Sequence, residues 1–168
     1  MAPTPASEVD RAPSAHRRIV VGIDGSPESC AALEWAVRDA ECTGGEIDAV
    51  LAYDSGLAWI DVGSEYESAI VKHSAAHASE ELHEVLAAMR PDGNWLVTVH
   101  PLVVAGQPAE VLVELARDAD ALVVGSRGRG AFAGLLLGSV SQRCAERSTC
   151  PVVVVPGPKS TTEPGGHS

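Results

Sequence analysis

Four positions in the C-terminal part of the sequence have the types and spacing best suited to chemistry. They are Gly125, Gly128, Gly138 and Ser139, in the pattern G-x-x-G-x9-G-S. The pattern follows an apolar run, Ala121-Leu122-Val123-Val124, that reads as a buried strand, and precedes residues 140–146, which read as a helix. Strand, glycine loop and helix start, in that order, place backbone N–H groups around a phosphate. Glycine serves where the backbone approaches a ligand closely or takes positive φ. From Ala121 to Ala145 there is no acid, while Arg127, Arg129 and Arg143 are present. In a chain of formal net charge −11, that local reversal of sign points to an anion site.

The elements that must position this loop alternate between strand and helix signals. Residues 18–24 read as a first strand ending at Asp24. Ser26-Pro27-Glu28 then supplies an N-cap, a proline at the first helical position and an acid in the first turn. That helix is expected to run to about Cys42 and stop at Gly44-Gly45. Residues 46–53 read as a second strand. A loop with Gly56 and Gly63 leads to a long helix over 65–89, and Pro91-Asp92-Gly93 makes a turn. Residues 95–104 read as a third strand, 107–118 as a third helix, 121–125 as the fourth strand, 139–147 as the fourth helix and 151–156 as the fifth strand. Strict alternation implies an α/β fold, a doubly wound five-stranded parallel sheet with helices on both faces. Right-handed crossovers leave few orders, of which 3-2-1-4-5 is the expectation. The switch point then lies between strands one and four, whose C-terminal ends are Asp24 and Gly125.

The glycine ladder from Gly125 to Ser139 is not a Walker A loop, because it contains no lysine. Gly128-x-Gly130-x-x-Ala133 fits G-x-G-x-x-A, but a dinucleotide fingerprint belongs in the first βα unit with an acid ending the next strand. Here the next strand ends in Val155-Pro156-Gly157, so that reading is rejected.

The full spacing resembles the ATP-binding signature of the universal stress protein A family. Ile19-Val20-Val21-Gly22-Ile23-Asp24-Gly25-Ser26 resembles that family's opening strand and turn. Residues 120–130 and 136–140 are similar to its later motifs, and residues 150–155 to its last strand. The resemblance covers about 17–156 and implies a Rossmann-like fold related to the adenine nucleotide alpha hydrolases. It implies ATP as ligand, with Asp24 facing the ribose and polyphosphate, directly or through Mg2+. Ala52 would offer backbone groups to adenine, and Val124 and Gly125 would lie on the ribose side. Gly128, Gly138, Ser139 and Val140 would cradle phosphates, and Arg127 and Arg129 would pair with terminal phosphates. Ser139, with Gln142 three residues on, is expected to form a capping box. The implied function is that of a nucleotide-dependent sensor or regulator in stress response. Alternatives are a cyclic-AMP-binding member, a nucleotide-free dimeric interaction module and a slow ATP hydrolase. No pattern suggests an activated nucleophile or poised base, so no catalytic residue is assigned. The S-G-G-x-D-S loop of the related hydrolases is replaced by Asp24-Gly25-Ser26-Pro27-Glu28.

The 168 residues fit one domain, 17–156, with expected disordered tails at 1–16 and 157–168, both rich in Pro, Ser, Thr and Gly. Aromatic content is only 4%, so the core must be built from Val, Leu, Ile and Ala. The acidic balance argues against nucleic acid and anionic membranes as partners. The N-terminus lacks signal-peptide features and no apolar run has membrane-spanning length, so a cytoplasmic location is expected. Cys30, Cys42, Cys144 and Cys150 form no C-x-x-C pair, and Cys30 and Cys144, in expected helices, read as small buried hydrophobes. His73 and His77 share a helix face near His83 and are read as part of a solvated polar face. Trp35, Trp59 and Trp95 are read as packing residues. The fifth strand, an uncharged edge run of four valines from Val152 to Val155, is expected to pair with a second copy in a homodimer. A further protein partner is left unidentified.

Overall fold

The computed structural model describes residues 17–54, 64–129 and 136–158. The expected tail 1–16, most of the tail 157–168, the loop holding Gly56, Trp59 and Gly63, and residues Gly130 and Ala133 lie outside the described residues. The elements are β1 (Arg18–Gly22), α1 (Pro27–Thr43), β2 (Glu46–Tyr53), α2 (Ser64–Met89), β3 (Val99–Ala105), α3 (Pro108–Leu115), β4 (Ala121–Gly125), α4 (Ser139–Arg147) and β5 (Val152–Val155). All five strands are parallel in the order β3-β2-β1-β4-β5, the order expected from the alternation.

The period of two along each strand divides the interior into two layers. Ile19, Val21, Ile47, Ala49, Leu51 and Val123 point to one face, where α1 and α2 pack through residues such as Leu33, Ala36, Leu82 and Leu86. Val20, Val50, Leu122 and Val124 point to the other, under α3 and α4, with Leu112, Ala116 and Cys144. Fully buried strand residues on both faces are what a parallel sheet between helices requires. Trp35 and Trp95 are partly buried against the first layer.

Helix starts and stops follow local chemistry. Ser26 caps α1 by accepting the Ser29 N–H at 3.2 Å, Pro27 takes the first position, and Gly44 ends the helix in the left-handed region at φ 71°. The third strand begins at Val99 rather than Trp95. The Trp95 ring instead carries the Arg90 guanidinium 5.2 Å from its centroid, while Leu96 is turned to solvent. The third helix stops at Leu115 rather than 118, where the Ala116 N–H bonds Leu112 O and the chain tightens into turns. The fifth strand keeps only the four valines between Pro151 and Pro156, since proline has no N–H to give a ladder.

Candidate functional site

A cavity of about 430 Å3 opens at the C-terminal ends of β1 and β4, on the face covered by α3 and α4. This is where the strand order reverses, the usual ligand crevice of open parallel sheets. All ten residues singled out from the sequence line it: Asp24 after β1, Ala52 on β2, Val124 and Gly125 ending β4, Arg127, Gly128 and Arg129 in the following loop, and Gly138, Ser139 and Val140 at the start of α4. Arg143 is exposed on α4 and does not line it.

The cavity has an apolar end and a polar end. At the apolar end stand Val50, Ala52, Pro108, Leu112 and Val124. Gly22 lies there with no side chain, and a Cβ on it would come within 2.8 Å of Leu112 Cδ1, so this glycine makes room beneath the α3 leucine. Backbone alternation along β2 adds a polar feature. Val50 O accepts the Ile23 N–H at 2.8 Å, whereas Tyr53 O accepts from Gly106 on the β3 side. Ala52 therefore turns its N–H and C=O toward the β1 side, past the last registered pair, Gly22–Val50.

At the polar end, α4 begins with its N-terminal N–H groups facing the cavity. Ser139 was expected to cap this helix, with Gln142 completing a box. The cap is Gly138 instead, with no side-chain cap bond, and Ser139 is the first helical residue. The Gln142 side chain turns forward to Glu146 at 2.9 Å. The reason is the bond from Gly138 N–H to Ser126 O at 2.7 Å, which fixes Gly138 as the entry point. Ser141 Oγ, 2.9 Å from both Ser126 O and Gly138 O, pins the same junction. The first N–H groups of α4 thus have no intrahelical acceptor and no side-chain cap, which leaves them to an anion.

Glycine acts in the ladder through close approach. None of Gly125, Gly128 and Gly138 has positive φ; among the described residues that applies to Gly25, Gly44, Gly93 and Gly106. A Cβ on Gly125 would meet Glu28 Cβ at 2.7 Å and its carbonyl carbon at 2.8 Å, and a Cβ on Gly128 would overlap Asp24 Oδ2. Gly138 is the looser position, with Arg127 Cα 3.4 Å from its added Cβ.

Asp24 joins the two loops. Its Oδ1 accepts from the Ser26 N–H at 2.9 Å and the Ser26 hydroxyl at 2.5 Å, and its Oδ2 accepts the Arg129 N–H at 3.0 Å. Burial pushes this carboxyl up, but the bonds from Ser26, Arg129 and Ser29 outweigh it and hold the group below its ordinary value. The hydrogen bonds put two donors on Oδ1 and one on Oδ2, and a carboxylate oxygen can also take a ribose hydroxyl or a cation. One carboxylate plus phosphate oxygens suits Mg2+, which keeps several waters and takes few protein ligands.

The arginines are not free cations. Arg127 Nη2 lies 3.8 Å from Glu28 Oε1, and Arg129 Nη1 lies 2.5 Å from Glu81 Oε1. The stretch without acids in sequence is thus matched in space by acids from α1 and α2. Glu28, read only as a first-turn acid, and Glu81 on the polar helix were not assigned to the site, since neither lies near the ladder in sequence. Ser29, Pro108 and Leu112 also line the cavity without having been singled out. Among the described residues no group of three or more His, Cys, Asp or Glu is arranged to hold a metal ion. His77 is exposed on α2, and the side chain of His73 lies outside the described residues.

Residues 15–156 match the family model described as the universal stress protein family. The chain belongs to the universal stress protein family. It is 41% identical over 142 residues to a universal stress protein of Mycolicibacterium smegmatis, a match covering 82% of this chain and 45% of the relative. The chain spans about half the length of the curated relatives it matches. The solved universal stress protein UspA of Lactobacillus plantarum aligns with a TM-score of 0.69 at 19% identity, over 84% of this chain and 99% of that one, a likeness of fold. A universal stress protein solved in complex with cAMP aligns with a TM-score of 0.58 at 29% identity, over 86% of this chain and all of that one. No helix of the described residues is long and apolar enough to cross a membrane.

Proposed function

We propose that this universal stress protein binds ATP, with Mg2+, in the switch-point cavity and acts as a nucleotide-dependent sensor or regulator in the cytoplasm. The observation that carries the reading is the convergence of all ten ladder and strand-end residues on one cavity, with the uncapped start of α4 at its polar end. The volume is within the roughly 300–1,000 Å3 of small-ligand sites. In this reading adenine takes the apolar end, recognised by the Ala52 backbone. Phosphates take the N–H groups of Ser139 and Val140 beside Gly128 and Gly138. Asp24 serves the ribose or a bridging Mg2+. Bound Mg2+ supplies neutralisation of phosphate charge beside a carboxylate.

The same chain is proposed to pair as a homodimer through β5. Bonds from Leu122 N–H to Pro151 O and from Ser126 N–H to Val155 O put residues 151, 153 and 155 on the β4 side. Val152 and Val154 then turn their N–H and C=O outward, available to an antiparallel partner strand.

A second reading, cAMP as the physiological ligand, is favoured by the 29% identical neighbour bound to cAMP. A single phosphate would meet the same N–H groups. Mass spectrometry of nucleotide released from the purified protein by denaturation separates the two. Recovery of ATP supports the first reading, recovery of cAMP the second, and stoichiometric recovery of another compound class sinks both.

A further inference from the structure

We propose that Glu81, on α2, biases the cavity against ligands with more phosphates by competing with a polyphosphate for the Arg129 guanidinium. The proposal rests on the adenine-nucleotide reading and names the residue that tunes it. Arg129 is held at both ends. Its backbone N–H bonds Asp24 Oδ2 at 3.0 Å, inside the cavity rim. Its guanidinium meets Glu81 Oε1 at 2.5 Å. The route crosses the upper edge of the sheet over Gly25. A Cβ there would overlap the guanidinium, and its φ of 76° independently asks for glycine. A loop on the α3–α4 face is thereby paired with a helix packed on the opposite face.

The two partners differ in freedom. The Glu81 side chain is 27% exposed, whereas that of Arg129 is 62% exposed. The acid is the fixed post and the arginine the arm that can swing. Arg127 is held more loosely, 3.8 Å from Glu28, and so is the weaker check. One phosphate can be met by the first N–H groups of α4 without either arginine. A triphosphate brings more charge than those donors can serve, and Arg129, which lines the same cavity, is a strong phosphate partner. To use it, the ligand must separate it from Glu81 and bear the carboxylate left behind. Glu81 therefore disfavours triphosphate relative to monophosphate, and the exchange detaches the loop from α2 only when a triphosphate is bound.

The test is calorimetry on the full chain with ATP and AMP, comparing wild type, Glu81→Gln, Arg129→Met and the double variant. Glu81→Gln is expected to tighten ATP by about two- to fivefold, the worth of an exposed charge pair, while leaving AMP unchanged. In the Arg129→Met background the same substitution should no longer affect ATP. Equal tightening of both nucleotides, no tightening of ATP, or full tightening without Arg129 overturns the proposal and leaves the nucleotide reading standing. No binding of either nucleotide to wild type removes both.

Discussion

Asp24 Oδ2 accepts the backbone N–H of Arg129 at 3.0 Å across 105 positions of sequence, joining the loop after β1 to the loop after β4. Gly128 is the neighbour that makes this approach fit, since a Cβ on it would overlap the same oxygen. Gly128→Ala should therefore break the junction and cost about 1.5–3 kcal/mol, the range for a hydrogen bond to a charged group. Gly138→Ala should cost much less, because its φ of −75° suits any residue and its added Cβ meets only ordinary contacts. Urea unfolding of the two variants checks the ranking; equal costs would contradict it.

The depressed Asp24 carboxyl makes part of the stability pH-dependent. A group whose native value lies below its unfolded value contributes stability above the unfolded value and loses it as pH falls through the native one. The difference in unfolding free energy between wild type and Asp24→Asn should be flat above about pH 5 and shrink as pH falls past the unfolded value of 3.8. A difference that grows toward acid would show that burial, not hydrogen bonding, governs this carboxyl.

Alternate valines of β5 pack into each of the sheet's two layers, Val152 and Val154 into one, Val153 and Val155 into the other. A dimer through this strand must then rest on backbone bonds at the outer edge, so side-chain changes would disturb folding first. Val154→Pro removes one outward N–H and leaves the β4 ladder bonds intact. Light scattering at micromolar concentration should give a dimer for the wild type and a shift toward monomer for this variant. A monomeric wild type would remove the interface.

Burial among apolar residues pushes the Cys144 thiol up to about 11, whereas Cys42 is exposed. A thiol-disulfide reagent near pH 8 should label Cys42 in the folded protein and Cys144 only on unfolding. Comparable labelling rates for the two would mean that the α4 layer opens readily.

Much of this architecture is legible in the sequence because its signals are local. Runs such as Ala121–Gly125 and Val152–Val155 mark buried strands, Ser26-Pro27 and Gly44 mark the ends of α1, and strict alternation fixes a parallel sheet. The site is legible for the same reason: a switch point gathers strand ends, and the ladder sits at one of them. What escaped is what depends on distance in sequence. The pairing of Arg127 with Glu28 and Arg129 with Glu81 joins residues that only the fold brings together. The shift of the α4 cap from Ser139 to Gly138 has a similar cause, since Ser126 O captures the Gly138 N–H from across the loop. The room that Gly22 leaves for Leu112 likewise has no local signature, because a glycine in a strand reads only as a weak spot.

Calorimetric titration of the full chain with ATP, with Mg2+ and again with chelator, decides whether the switch-point cavity is a nucleotide site. Saturable binding is expected, weaker under chelation and lower by about tenfold or more in Gly128→Ala, where the junction beside the phosphate end is broken. Absence of binding heat with and without Mg2+, together with no displacement of a fluorescent adenine nucleotide by ATP, would contradict the nucleotide reading.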